Sequence, residues 1–420
     1  MAKQQIWTGW RLRAGFLLAV AGVSLCALPP LPAQETGISP LDSPAQPAKR
    51  ELPSRLASKP SQPPAFTIPV QQLGFSAPGP LYLGQRNSLV SLDFLDENRL
   101  LFTFRVPGLI HREASAEDER QIRAMVLSLP AGAVQAEALW TVHDRSRYLW
   151  MLADGRFLLR DRNDLELGSA SLELKPFLRF PGSLLSLEMD PAQQLLVTNS
   201  REPSDESEMV LRVLHRDSGQ VMLVSRTNAT LHLAFNADGY LESLRAKEDK
   251  WLLNLKYFSG GSSILGQVDS TCSPLLDFVA PREMLLTTCT DSGERKLVAM
   301  GTDGHQLWER QTPKATAWPL LVRSPDGSRL AWEALAITHE VSARSPLDQE
   351  DIKGQMVEIL NAADGKVVLD AQASPVLDAG GNVAISPSGR RVAVLNGGQI
   401  QVFELPPPPV HEPAAHSPSR

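Results

Sequence analysis

Cysteines, histidines, aromatic residues and clustered cations are all scarce in this chain, and each scarcity removes a class of function. The three cysteines among 420 residues, Cys26, Cys272 and Cys289, form no Cys-x-x-Cys pair, which removes the commonest zinc and thiol-redox frameworks. The eight histidines, His111, His143, His215, His232, His305, His339, His411 and His416, are too scattered to supply ligands from one element. A metal site would have to gather residues from distant segments, so the default reading is surface or hydrogen-bonded histidines. No Gly-x-x-x-x-Gly-Lys loop, Gly-x-Gly-x-x-Gly turn, His-Glu-x-x-His pair or Gly-x-Ser-x-Gly elbow occurs. No catalytic residue, metal ligand or cofactor is therefore assigned. The formal charge is −6 and Lys and Arg are dispersed, which argues against nucleic acid or anionic headgroups as partners.

The chain has one long apolar run, Ala14 to Leu28, preceded by Lys3, Arg11 and Arg13 and followed by Leu31-Pro32-Ala33. That order predicts a signal peptide over 1–33, cleaved before Gln34, with no membrane span afterwards. The run is shorter than the roughly 20 residues of a spanning helix. Cys26 follows Leu25, where lipoprotein signals use a small residue, so lipidation is disfavoured. Loss of the three cations moves the formal charge from −6 to −9. Residues 34–66 hold Pro40, Pro44, Pro47, Pro53, Pro60, Pro63 and Pro64 and predict a disordered spacer; a second Pro-rich tail covers 406–420. Between them, 67–405 is expected to form one folded domain in the periplasm or outside the cell.

What the chain has in abundance is a repeated turn followed by an apolar β-type run. It is plainest at Ser324-Pro325-Asp326-Gly327-Ser328-Arg329-Leu330-Ala331-Trp332 and Ser386-Pro387-Ser388-Gly389-Arg390-Arg391-Val392-Ala393-Val394. Looser copies follow Asp96, Ala153, Asp190, Ala237 and Pro281. A second set of turns, ending at Gly132, Gly219, Gly304 and Gly365, implies two hairpins per repeat and hence four-stranded blades. With Leu100, Phe157, Leu195, Leu241, Leu285, Leu330 and Val392 as equivalent second-strand positions, the expected fold is an all-β, seven-bladed propeller, six or eight blades being the alternatives. The last repeat is one strand short. Closure by an N-terminal strand is expected, with Pro80-Leu81-Tyr82-Leu83-Gly84 as donor.

The repeats at 324–332 and 386–394 resemble the Ser-Pro-Asp-Gly repeats of WD40-like bacterial propellers, including the periplasmic propeller of the Tol system and the YVTN family. Asp303-Gly304-His305-Gln306-Leu307-Trp308 resembles the repeat of quinoprotein-type propellers. The resemblance covers about half of the blades and implies the architecture; it implies little about activity.

Two features carry functional expectations. If the hairpin near Pro281 and Arg282 turns where its pattern indicates, Cys272 and Cys289 face each other on adjacent strands. That spacing predicts a cross-strand disulfide, the alternative being two buried thiols. Three acidic segments, 111–121, 201–208 and 339–353, fall between second and third strands and so on one face. Their carboxylates, Glu113, Glu117, Asp118 and Glu119, then Glu202, Asp205, Glu206 and Glu208, then Glu340, Asp348, Glu350 and Asp351, are the candidate binding residues. Solvated polar loops are the plain alternative. The resulting expectation is an exported binding or scaffolding module with a protein partner. Its rivals are a channel-mouth enzyme, either a lactonase-like hydrolase or a quinoprotein dehydrogenase, and a structural envelope part set at a distance by the spacer.

Overall fold

The computed structural model describes residues 59–79, 83–106, 119–202, 204–228, 232–291, 294–339 and 347–409. Their strands form seven antiparallel sheets that follow one another along the chain. Blade 1 spans 90–142, blade 2 149–179, blade 3 184–227, blade 4 239–269, blade 5 275–311 and blade 6 316–373. Blade 7 spans 383–404 and takes its fourth strand from Phe66–Pro69. The fold is a seven-bladed β-propeller, and all seven anchor residues lie on the second strands of their blades. Blade 4 has only three laddered strands, because its innermost segment pairs through one bridge, Phe235 with Tyr240, and two backbone bonds.

The repeated turn forms for an identifiable reason. Its first residue is polar and accepts backbone N–H groups from the far side of the turn, which would otherwise be unpaired at a strand end. Ser324 Oγ accepts from Arg329 N at 2.9 Å and Ser386 Oγ from Arg391 N at 3.0 Å. Asp190 Oδ1 does the same for Leu195 N at 2.6 Å, and Asn236 Oδ1 for Gly239 N at 3.0 Å. Gly327 and Gly389 sit at φ 73° and 65°, where a side chain would be strained. The arginine after the turn then reaches the next blade. Arg329 Nε donates to Gly389 O at 3.3 Å, and Arg391 NH1 donates to Glu97 O at 2.7 Å. One motif thus makes the turn and ties blade 6 to 7 and blade 7 to 1.

Alternating apolar residues on both faces of each sheet bury against neighbouring blades, so the core divides into seven clusters, one per seam. Trp140, Trp150, Trp308 and Trp332 are buried in these seams, while Trp251 and Trp318 are half-buried.

The closing strand departs from expectation. Phe66–Pro69 pairs with Gln399–Glu404, whereas Leu83 and Gly84 lie in a turn and residues 80–82 fall outside the described chain. Ile68 is buried between blades 7 and 1, and Pro69 ends the strand, a position that tolerates a missing N–H. Only Phe66 of this strand falls in the expected spacer; Thr67, Ile68 and Pro69 fall in the expected domain, and the departure lies in which segment closes the ring. Ser61 and Ala65, upstream of the strand, donate backbone bonds to Asp370 and Val402. The remaining residues of the predicted signal peptide, spacer and tail, 1–58 and 410–420, lie outside the described residues.

Candidate functional site

Every blade sends its innermost segment to one central cavity of about 310 Å³. Its walls mix apolar side chains, Phe94, Trp150, Leu187 and Phe278 among them, with six ionisable ones: Asp93, Arg147, Glu188, His232, Asp277 and Arg323. Three are acidic and three basic. Where protein displaces the water around such groups, they persist in charged form only if partners compensate their lost hydration.

Four of the six have such partners. His232 bridges two blades, its Nδ1 3.0 Å from Glu188 Oε1 and its Nε2 3.3 Å from Asp277 Oδ1. The hydrogen bonds to Asp277 and Glu188 push the imidazole up to about 10, so it is a cation at neutral pH. Arg323 crosses the lumen from blade 6, donating from NH1 to Phe278 O at 2.7 Å and from NH2 to Met189 O at 3.0 Å. Burial lowers its basicity, and Asp190 and Asp277 oppose that shift.

Asp93 and Arg147 are held differently. Asp93 Oδ2 accepts from Ser91 Oγ at 2.6 Å, and burial pushes its carboxyl up to about 6. Arg147 donates from Nε to Leu149 O at 3.0 Å, and its guanidinium lies 5.4 Å from the centre of the Trp150 ring. The Arg147 side chain is open to the lumen but ringed by protein, which lowers its basicity, while Asp93 and Glu188 raise it.

The first strands of all blades run the same way, so connections from fourth to first strands share a face with those from second to third. Arg147 belongs to a fourth-to-first connection, and His232 to the segment entering blade 4. Both therefore stand toward the face carrying the acidic segments. Among those segments, 107–118 and 340–346 fall outside the described residues, and with them Glu113, Glu117, Asp118 and Glu340. Glu119 is 3.9 Å from His143 Nε2, while Glu202 and Glu208 lie 4.0 and 3.3 Å from the same Arg226 guanidinium. Asp351 is buried, 3.2 Å from His339 Nδ1, and accepts from Asp348 N at 3.3 Å, so it builds its loop from within. Glu350 is exposed.

One of the three expected insertions is not a loop. Leu195–Glu202 and Asp205–His215 are strands paired almost to the hairpin tip, Glu202 opposite Asp205. The polar run extends the hairpin past the apolar core, and a cross-strand bond from the Arg226 guanidinium to Glu208 Oε2, 3.3 Å, ties it to the outer strand. The strand containing Asp205 and Glu206 is described; their side chains are not.

Cys272 and Cys289 form a disulfide with a Cα separation of 5.5 Å. The adjoining register, Leu275 opposite Thr287 and Leu276 opposite Leu286, is the one the hairpin argument requires. The channel charges escaped the sequence reading, although a signal existed: Asp93, Glu188, Asp277 and Arg323 each interrupt an apolar run just before a repeated turn.

No protein-family model matches the chain, and no curated protein matches its sequence. Among solved structures, the β-propeller domain of the trilobed protease from Pyrococcus furiosus is similar at 10% identity and a TM-score of 0.43, over 76% of this chain and 94% of that one. A putative TolB from Agrobacterium tumefaciens is similar at 13% identity and a TM-score of 0.39, over 64% and 94% of the two chains. The acylaminoacyl peptidase of Pyrococcus horikoshii is similar at 10% identity and a TM-score of 0.44, over 73% of this chain and 48% of the peptidase, so this chain spans about half of that protein's length. The fold assignment rests on the strand order of the chain itself.

Proposed function

We propose that the chain is an exported propeller of the WD40-like, YVTN-type repeat class that works as a protein-recognition module in the periplasm or outside the cell. The observation that carries this reading is topological. The long connections after Arg105 in blade 1 and after Ile337 in blade 6 leave the same face and flank blade 7, so their side chains can act together on one partner. Glu113, Glu117, Asp118, Glu119, Glu340 and Glu350 would give that rim its acidic sign, complementary to a basic or cation-bridged surface. Glu202, Asp205, Glu206 and Glu208, on the blade 3 hairpin, would extend the same face. The disulfide supports export, since such bonds persist in oxidising compartments. Shortening 107–118 and 340–346 together should abolish a cross-link that the full chain forms in envelope extracts; retention of the same cross-linked partner would contradict the assignment.

A channel enzyme is the second reading, favoured by the displaced Asp93 carboxyl. Glu188 and Asp277, however, reach the lumen already paired to His232, which limits their use as a base or ligand.

A further inference from the structure

Among the six ionisable groups facing the central cavity, two keep hydrogen-bonding capacity in reserve. Arg147 uses Nε on Leu149 O, and its two terminal nitrogens have no partner among the described residues. Asp93 uses Oδ2 with Ser91, and Oδ1 has none. Asp93 on blade 1 and Arg147 on the connection to blade 2 both line the cavity and attract each other without forming an ion pair, which leaves a cationic fork and a carboxylate oxygen unengaged by protein. The fork is oriented in advance by Leu149 O and the Trp150 ring, which reduces the ordering cost of binding.

The remaining charges restrict what fits. Glu188, Asp277, His232 and Arg323 already engage partners and sum to zero, as do Asp93 and Arg147. A ligand with net charge would leave one sign uncompensated among these groups, whereas a zwitterion would not. The volume, about 310 Å³, lies at the small end of ligand pockets, roughly 300–1,000 Å³. Phe94, Trp150, Leu187 and Phe278 offer an apolar wall beside the two charges.

We propose that the central channel is a binding site for a small zwitterion with an apolar side chain, of the free amino acid class, its carboxylate held by the Arg147 fork and its ammonium by Asp93. This site lies in the channel, with Arg147 toward the face that carries the acidic segments, and it stands whether or not a protein binds that face. A bidentate guanidinium–carboxylate contact and a carboxylate–ammonium contact are both charge-assisted, so loss of either should weaken binding at least about tenfold.

The probes are L-leucine, N-acetyl-leucine, which keeps only the carboxylate, and leucinamide, which keeps only the ammonium. Each is titrated calorimetrically into the full chain, into Arg147→Gln and into Asp93→Asn, with the melting temperature of each variant as a folding control. Expected is saturable binding of leucine, at least tenfold weaker binding of both analogues, and a matching loss in each variant. No leucine binding up to about 10 mM, a dissociation constant of little free energy, would overturn the proposal. Equal binding of either analogue, or leucine binding indifferent to both substitutions, would overturn it too. If a substitution prevents folding, the analogue series on the unaltered chain decides alone.

Discussion

The seam between blades 7 and 1 and the seam between blades 3 and 4 lie far apart in the ring and are built on different principles. The first buries eighteen apolar side chains among the described residues, including Phe75, Phe102 and Phe104 with ring centres 5.3–5.5 Å apart. The second buries five: Leu195, Val197, Leu211, Val213 and Phe235. Both ends of the folded chain meet at the strong seam, where Phe66–Pro69 completes blade 7 and Arg391 reaches back to Glu97. At the weak seam the inner segment of blade 4 has lost its ladder, and the charged His232 bridges Glu188 and Asp277 where apolar packing is thin. Apolar packing is concentrated where an open ring would peel, and polar bridging takes its place where the ring is continuous.

Placing a carboxylate in the strong seam should have the largest effect. Ile68→Asp is expected to cost about 5 kcal/mol in urea unfolding, because it buries an unpaired polar group on the closing strand. The seams can then be compared at equivalent second-strand positions: Leu100→Ala should cost about 4 kcal/mol and Leu195→Ala about 2, since a sparse seam relaxes around the cavity. Equal costs would erase the distinction. In blade 6, opposite Val357 of the seam with blade 7, Glu333 is fully buried, accepts from Gln355 Nε2 at 3.0 Å, and is pushed up to about 8 by burial. Its neutral form favours the folded state, so that stability is full below the unfolded value of 4.5 and is lost as pH rises through about 8. Glu333→Gln should flatten this dependence and gain on the order of 3 kcal/mol at pH 9, read from denaturation midpoints across pH. Reducing Cys272–Cys289, in blade 5, should cost about 3 kcal/mol for its short loop, seen as a lower melting temperature with reductant. The smallest effect is at the weak seam. The stability His232 contributes is present below 6.5 and lost as pH rises through about 10, and His232→Gln should remove that slope. Its side chain is 57% exposed, so the change should not exceed about 1 kcal/mol.

The blade count was largely legible in the sequence, because Ser324-Pro325-Asp326-Gly327 and Ser386-Pro387-Ser388-Gly389 encode a turn, a cap and a following strand in one short window. The disulfide was legible for a similar reason: hairpin register is local arithmetic. The closing strand was not, because Phe66-Thr67-Ile68-Pro69 has one buried residue and its partners lie 330 to 336 positions away, at Gln399–Glu404. The blade 3 hairpin misled for the opposite reason, its polar composition reading as a loop although pairing continues through it. The channel charges come together only when successive blades pack. No sequence spacing joins Asp93 to Arg147 or His232 to Asp277; blade packing does.

Amide hydrogen exchange across the whole chain, followed by mass spectrometry, compares the two seams in one experiment. The slowest exchange is expected in 66–69 and 399–404 and the fastest among the inner segments in 232–236, because protection follows the free energy of opening. Rapid exchange of the closing strand, or equal protection of the blade 4 inner segment, would contradict a ring secured chiefly where its ends meet.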